Sequence, residues 1–490
     1  MEANLSFADA NRASIRVIEE TTWGTTPVNG VAREVRLTSS SLSASKETVE
    51  SDELRADRMV SNVTEVAAMS EGDINFEFSA GAHDEFMAAF VMGAWTRPMS
   101  REFWKGAIVS VTATSAVTIT GTDATASLTA GRRILLKGFA TPANNGYFQI
   151  VSSNFTGGNT VVTLVETSLV IEAGTSDARL YDANDIVVLK NNTIRSTATG
   201  FSAQTGTPFA SAIAAGQLRV GQKIVVDGLA GVTGIYTIVS LTDAAINTSP
   251  APTAVVAAGP AVTIKGSMLR NPGNPTEIVQ RSFTIETAYN DVAQYMVQNG
   301  MVPGTLSLEI ATGAIITGTV GFQGRETLLR ATPLIGAAPY TRLGTLPAEV
   351  VNATTNVGAL LKDGTALATA IQSISISGEA NLRAQAAIGS KFSRGIGAGR
   401  FNLTGSITAY FEDGSLYSEF LSHDTVSLSF SLTDADGQSY VFTLPAIKFT
   451  ADEVAPGGID QDVFENIEWT AFRDPVTACM LQIDRFSPNV

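Results

Sequence analysis

The chain has a single cysteine, Cys479, and two histidines, His83 and His423. One cysteine excludes an intramolecular disulfide and a cysteine-cluster metal site, and two histidines exclude a His-rich one. Charge is scarce as well: Asp, Glu, Lys and Arg make up 16% of the 490 residues, against about 25% in an average soluble domain. That charge leans one way, with 32 Lys+Arg against 47 Asp+Glu and a formal net of −15. Nucleic-acid binding and anionic membrane binding both draw on clustered Lys and Arg, so both are disfavoured. No window nears the ~20 apolar residues of a membrane span. Met1–Glu20 lacks the basic stretch and apolar run of a secretory signal, and none is expected. Since 44% of the chain is hydrophobic, it folds rather than staying disordered.

What is present is a period of two. Ile74, Phe76 and Phe78 alternate with Asn75 and Glu77; Leu306, Leu308 and Ile310 alternate with Ser307 and Glu309. Val426–Leu432 (VSLSFSL) and the run through Phe401, Leu403, Ile407, Ala409 and Phe411 obey the same rule. Such alternation puts apolar side chains on one strand face and polar ones on the other, as in antiparallel sheets with one solvated face. A mostly β, antiparallel fold of sandwich or barrel type is expected, with short helices. The helical candidates are Asp84–Met92, with acids in its first turn, and Asn290–Gln298, opened by an N-cap residue and closed by Asn299-Gly300.

The middle of the chain repeats. Gly131–Phe139 (GRRILLKGF) aligns with Gly221–Leu229 (GQKIVVDGL), and Asn145–Ser152 (NGYFQIVS) with Thr233–Ser240 (TGIYTIVS), at offsets of 90 and 88 residues. Two blocks in register indicate a tandem pair of small β-modules. Charge divides at the same place: 106–275 hold 10 Lys+Arg and 8 Asp+Glu, a net of +2, and the remainder holds 22 and 39, a net of −17. The expected organisation is one discontinuous domain, 1–105 and 276–490, interrupted by module 1 at 106–187 and by module 2 with a Pro/Gly return linker at 188–275.

The search for chemistry is mostly negative. His83 reads as a solvent-facing residue at a helix start, His423-Asp424 as a turn, and no Gly-x-Ser-x-Gly elbow accompanies them. Asp434–Gly437 (DADG) opens like a calcium loop but lacks the twelfth-position Glu, so Asp436-Gly437 reads as a hairpin turn. Gly395, Gly397 and Gly399 lack the strand and helix that would make a phosphate cradle. Flanked by Arg394 and Arg400, they read as a mobile loop that orders against a partner. Cys479 reads as a small buried hydrophobe. No enzyme activity and no cofactor are expected. Ser39–Asp73 is the most informative stretch: Glu47, Glu50, Asp52, Glu53, Arg55, Asp57 and Arg58 sit in a segment too long for a passive connection. It reads as a charged arm that docks on a neighbouring subunit.

Several blocks together resemble the tail tube, or major tail, proteins of long-tailed bacteriophages. The first is Ile18–Pro27 (IEETTWGTTP); the second is Glu47–Arg58 (ETVESDELRADR) followed by Gly72–Glu77 (GDINFE); the third is Arg281–Glu286 (RSFTIE), then Gln294-Tyr295, Gly313–Phe322 and Gly324. The resemblance covers about 1–105 and 276–490 and leaves out the repeat. It implies hexameric rings stacked into a hollow tail, with sheets from six subunits joined in one β-barrel around a channel for DNA ejection. The loop at Ser39–Asp73 would reach the adjacent ring, helped by the N-terminal segment with Trp23, Gly24, Thr25, Thr26 and Pro27, while the added modules decorate the outside. Implied partners are further copies of the chain and other tail proteins (tape measure, tail terminator, tip). DNA would pass transiently, no membrane would be bound, and the place would be the virion tail after assembly in the host cytoplasm. The alternative is a tail-tip or surface adhesin that binds host glycans or a receptor through the paired modules.

Overall fold

A computed structural model describes residues 7–97, 103–182, 187–232, 234–258, 262–343, 349–435, 437–456 and 458–486. The fold is mostly β with few short helices, as the alternation predicts. The chain forms two compact units: Met1–Ala94 with Arg270–Ala435 and Val441–Ile483, and Trp95–Leu269 with Asp436–Tyr440 and Asp484–Val490.

In the first unit eight strands position the surfaces of interest: β1 (Ser43–Glu50), β2 (Val63–Glu77), β3 (Gln294–Ala311), β4 (Thr317–Gly324), β5 (Ile371–Glu379), β6 (Asn402–Tyr410), β7 (Ser439–Ala455) and β8 (Phe464–Ala471). They pair antiparallel in the spatial order β1-β2-β4-β3-β5-β6-β8-β7. The apolar positions of each alternating run, among them Ile74, Phe76, Leu306, Leu308, Val320, Ile376, Ile407 and Ile467, are buried. Helix α1 (Asp84–Phe90) lies in that core. Its Phe86 meets Phe283 and Phe322 edge-on at centroid separations of 5.5 and 5.2 Å. Strand β3 is long enough to serve two sheets because it bends. Gln294–Met301 pairs with Phe283–Tyr289 and Val302–Glu309 with β4, the latter ladder bulged at Pro303/Thr305. Proline donates no ladder bond there, and a β-carbon on Gly304 would come within 2.8 Å of Leu382.

Several expectations need correction here. Asn290–Gln298 is not a helix. Residues 290–293 turn between Tyr289 and Gln294, which are paired across a hairpin, and Ala293 sits at φ 49°. Val292 and Ala293 lie in this turn, and Tyr295, Met296 and Val297 are consecutive residues of β3 instead of one helical face. Ser39–Asp73 is not a loop but the greater part of a β-hairpin, β1 with β2, tipped by residues 51–62. His83 does begin α1, but it is buried, stacked on Phe76 at 3.8 Å with its Nε2 2.9 Å from the Arg36 carbonyl oxygen. The Phe76 ring and the Arg36 carbonyl give the imidazole a stacking face and a hydrogen-bond partner inside the fold. His423 caps a helix the sequence reading passed over, α2 (Ser415–Ser422), in left-handed geometry at φ 55°. Cys479 is buried, as expected. Asp436 lies outside the described residues, and Gly437 takes φ 80° between β7 and the strand Val426–Thr433 before it.

In the second unit two seven-stranded sheets share one strand order. The first runs from Phe103–Lys105 through Arg179–Asp182, Arg133–Lys137, Gly146–Thr156, Asn159–Leu164 and Ala116–Thr120 to Val109–Ala113; the second uses the corresponding strands from Val187–Asn191 to Ile194–Thr197. The likeness extends to detail. Gly131 and Gly221 have φ 83° and 82°, and their amides donate to Ile150 O and Ile238 O at 2.8 and 2.7 Å. Bulges fall at Ile150/Ser152 and Ile238/Ser240. Each sheet closes on its own core, around Ile134, Phe148 and Val162 in one and Phe201, Phe209 and Ile264 in the other. Thr233 of the second repeat block lies outside the described residues.

Candidate assembly surfaces

The face of the first unit's sheet opposite the core is polar over three rows of paired residues, given by the register, and toward its far end carries the aromatic pair Tyr410–Phe464. One row reads Glu77, Thr317, Glu309, Ser375, Ser406, Glu468; the next Asn75, Thr319, Ser307, Ser377, Thr404, Thr470; the third Asp73, Gly321, Thr305, Glu379, Asn402. Directly paired residues share a face, so Asp73, Glu77, Glu309, Glu379 and Glu468 all project to one side. Lys448, opposite Thr470, is the basic residue on this face, and its ammonium donates to His423 O at 2.9 Å. Partial burial pushes the Glu309 carboxyl above its ordinary value. The face thus combines hydroxyls, amides and carboxylates, which hold water and repel phosphate.

At one end of this sheet the β1–β2 hairpin runs on past β4. Ser70 is the last β2 residue paired to β4, while β1–β2 pairing continues to Glu50↔Val63. The free stretch measures about 23 Å at ~3.3 Å per residue. Lys46 and Lys391 both meet Glu65, at 3.3 and 3.1 Å, and hold its carboxyl below its usual range, Lys391 foremost. At the tip Arg55 grips Asp57 with two bonds of 3.0 and 2.6 Å, which lower the Asp57 carboxyl. Of the sequence-predicted arm residues, Glu47, Glu50, Asp52, Glu53 and Arg58 are exposed and make no ion pair among the described residues. The sequence reading missed the arm's apolar surface: Leu54 is 101% exposed, and Val49, Met59, Val60, Val63 and Val66 are exposed with it. Their scatter along two strands and a tip gives no single period, and only the hairpin brings them together.

The segment Glu20–Pro27 is tied into its own subunit. Glu20, buried, accepts from Gly24 N, Ser282 Oγ, Thr284 Oγ1 and Gly300 N at 2.7–2.8 Å. Trp23 Nε1 donates to Gly300 O at 3.0 Å, the Thr26 and Thr284 hydroxyls are 3.0 Å apart, and the Tyr340 hydroxyl donates to Pro27 O. Gly24 has φ 69° and already lies against Arg325, so any side chain there is strained. Thr25 is the exposed residue of the group. The glycines after Arg394 are also ordered: Ile396-Gly397 pairs with Arg383-Ala384, Ile396 is buried, and Gly399 N donates to Ala380 O at 3.0 Å. Gly395 and Gly399 leave room for Gln385 and Asn381, which a β-carbon would approach within 2.7 and 2.8 Å. Arg394 and Arg400 are exposed on this hairpin.

Among the described residues no group of three or more His, Cys, Asp or Glu side chains is placed to hold a metal ion, and no helix is long and apolar enough to cross a membrane. A broad acidic sheet face and a projecting hairpin with bare apolar side chains define a building block, a protein that works by joining others. The chain matches the family described as phage tail tube protein over residues 10–471, and it belongs to that family. It is therefore a structural component of the phage tail, acting in assembly with itself and other tail proteins. No curated protein matches the chain.

Proposed function

We propose that this chain is the repeating subunit of the tail tube, that six copies close into a ring, and that stacked rings form the channel through which DNA is ejected. The observation that carries this reading is the acidic sheet face. Turned inward and continued from copy to copy, it makes a wall with Asp73, Glu77, Glu309, Glu379 and Glu468 toward the lumen, past which DNA slides without being held. Closing sheets across copies also removes strand edges that otherwise invite uncontrolled pairing. The β1–β2 arm, with Glu47, Glu50, Asp52, Glu53, Arg55, Asp57, Arg58 and the apolar Leu54, reaches the adjacent ring. Trp23, Gly24, Thr25, Thr26 and Pro27 shape the subunit beside that contact. Residues 106–275 are an insertion of two modules carried on the outside. Tape measure, terminator and tip proteins are the other partners, and assembly takes place in the host cytoplasm.

Electron microscopy of the purified chain is the test. Stacked six-fold rings are expected. A monodisperse monomer or trimer that binds cell-surface polysaccharide would overturn the reading in favour of a tip adhesin.

A further inference from the structure

Two loops at opposite ends of the first unit's sheet carry opposite charge. At the arm end, the hairpin Ala380–Phe401 joins β5 to β6 and holds Arg383, Lys391, Arg394 and Arg400, all exposed, with no acidic residue. It stands beyond the sheet beside the arm, because Ala68 N donates to Lys391 O at 2.9 Å and Lys391 meets Glu65 at 3.1 Å, both past Ser70. Gln280 Nε2 fastens its base by donating to Ile396 O at 2.8 Å. Ile388 at its tip is 105% exposed, and Arg383, Arg394 and Arg400 make no ion pair among the described residues.

At the other end β6 stops at Tyr410, β7 stops at Ala455 and β8 begins at Phe464. Loops 411–414 and 458–463 lie side by side there, joined by Phe411 N donating to Val463 O at 3.0 Å. They hold Glu412, Asp413, Asp460 and Asp462 and no basic residue; all four acids are exposed and none is in an ion pair among the described residues. Ile459 beside them is 93% exposed.

A two-fold contact would set each end against its own kind, base on base or acid on acid. Only a head-to-tail contact joins the two, and such a contact repeats without closing. We propose that the basic hairpin Ala380–Phe401 docks on the acidic 411–414/458–463 end of a second copy, in the next ring along the tube, and so fixes the polarity of stacking. This rests on the tube-subunit reading. The surfaces are exposed, so screening weakens the contact as salt rises.

Tube length is measured by electron microscopy at low and high salt, with circular dichroism as the folding control. Reversing the hairpin (R383E/R394E/R400E) is expected to leave rings and abolish tubes, and so is reversing its seat (E412K/D460K/D462K). Combining all six changes is expected to restore tubes. The neutral variant R383Q/R394Q/R400Q is expected to give shorter tubes with a weaker salt dependence. Wild-type tube lengths from a folded hairpin variant, or a folded six-change chain that stays as rings, would overturn the proposal while leaving the tube reading intact. A wild-type chain that forms neither rings nor tubes removes the tube reading and this contact with it.

Discussion

Two buried carboxyls carry different work at the scale of single residues. Glu20 satisfies two backbone amides and two hydroxyls and so locks the Gly24 turn to Ser282, Thr284 and Gly300. Truncation orphans buried donors, each worth about 1–3 kcal/mol. Glu20→Ala is expected to destabilise the chain by roughly 3–5 kcal/mol in urea unfolding. A loss under ~1 kcal/mol would mean that water replaces the carboxylate. Glu465 faces the core on β8 beside Asp452 on β7, and burial together with the Asp452 charge pushes its carboxyl up to about 8. Glu465 Oε1 and both Asp452 Oδ atoms face no donor, which a single shared proton resolves. The folded chain then holds a proton that the unfolded chain gives up above about 4.5. Stability from this pair is therefore full below that pH and is lost as pH rises toward 8. Thermal unfolding followed from pH 4 to 9 should show Tm falling across that window in the wild type and a flatter profile in Glu465→Gln. Parallel profiles would show that no proton is shared.

At the scale of elements, the sequence pattern was clearest where one strand face is buried. The runs around Ile74, Leu306 and Ile407 read directly as strands because core and solvent impose strict alternation. The arm did not read this way, since both of its faces are in water and the period-two signal vanishes. Asn290–Gln298 misled because a capping residue, apolar positions and a closing Asn-Gly also fit a tight hairpin entering a bulged strand. The chosen face of each strand, and hence which acids share it, is a property of register between strands far apart in sequence. In the arm itself, Leu54, Met59 and Val60 contribute nothing to the core. Replacing all three by Ser should change unfolding by no more than ~0.5 kcal/mol each. The same substitutions should shorten tubes or leave isolated rings in sedimentation and microscopy. Tubes of normal length would assign inter-ring contact to other parts of the subunit.

For the whole molecule, the charge of −15 divides between a flanking part at −17 and a central part at +2, and the same division invites an excision. The central chain leaves and returns at one place. Arg97 N donates to Ser267 Oγ at 3.2 Å, Ser267 Oγ donates to Arg97 O at 2.6 Å, and Thr96 N donates to Met268 O at 2.8 Å. In the first unit Val279 N donates to Met92 O at 2.9 Å, so the flanking chain is already fastened on both sides of the gap. Each module buries its own apolar residues in its own cluster, so neither lends its core to the flanking strands. Replacing residues 98–266 by a two- to four-residue turn closes a gap the native structure holds shut, and shortening the loop lowers the entropy of closure. The excision removes the bond that Lys223 N donates to Asp484 Oδ1 at 3.0 Å. The excised chain should keep its β circular dichroism and a cooperative unfolding transition, and it should still form tubes, thinner by the missing modules in projection. Tubes lost from a folded excised chain would make the modules part of the assembly contact. Loss of folding would show that the flanking chain needs the excised residues in order to fold.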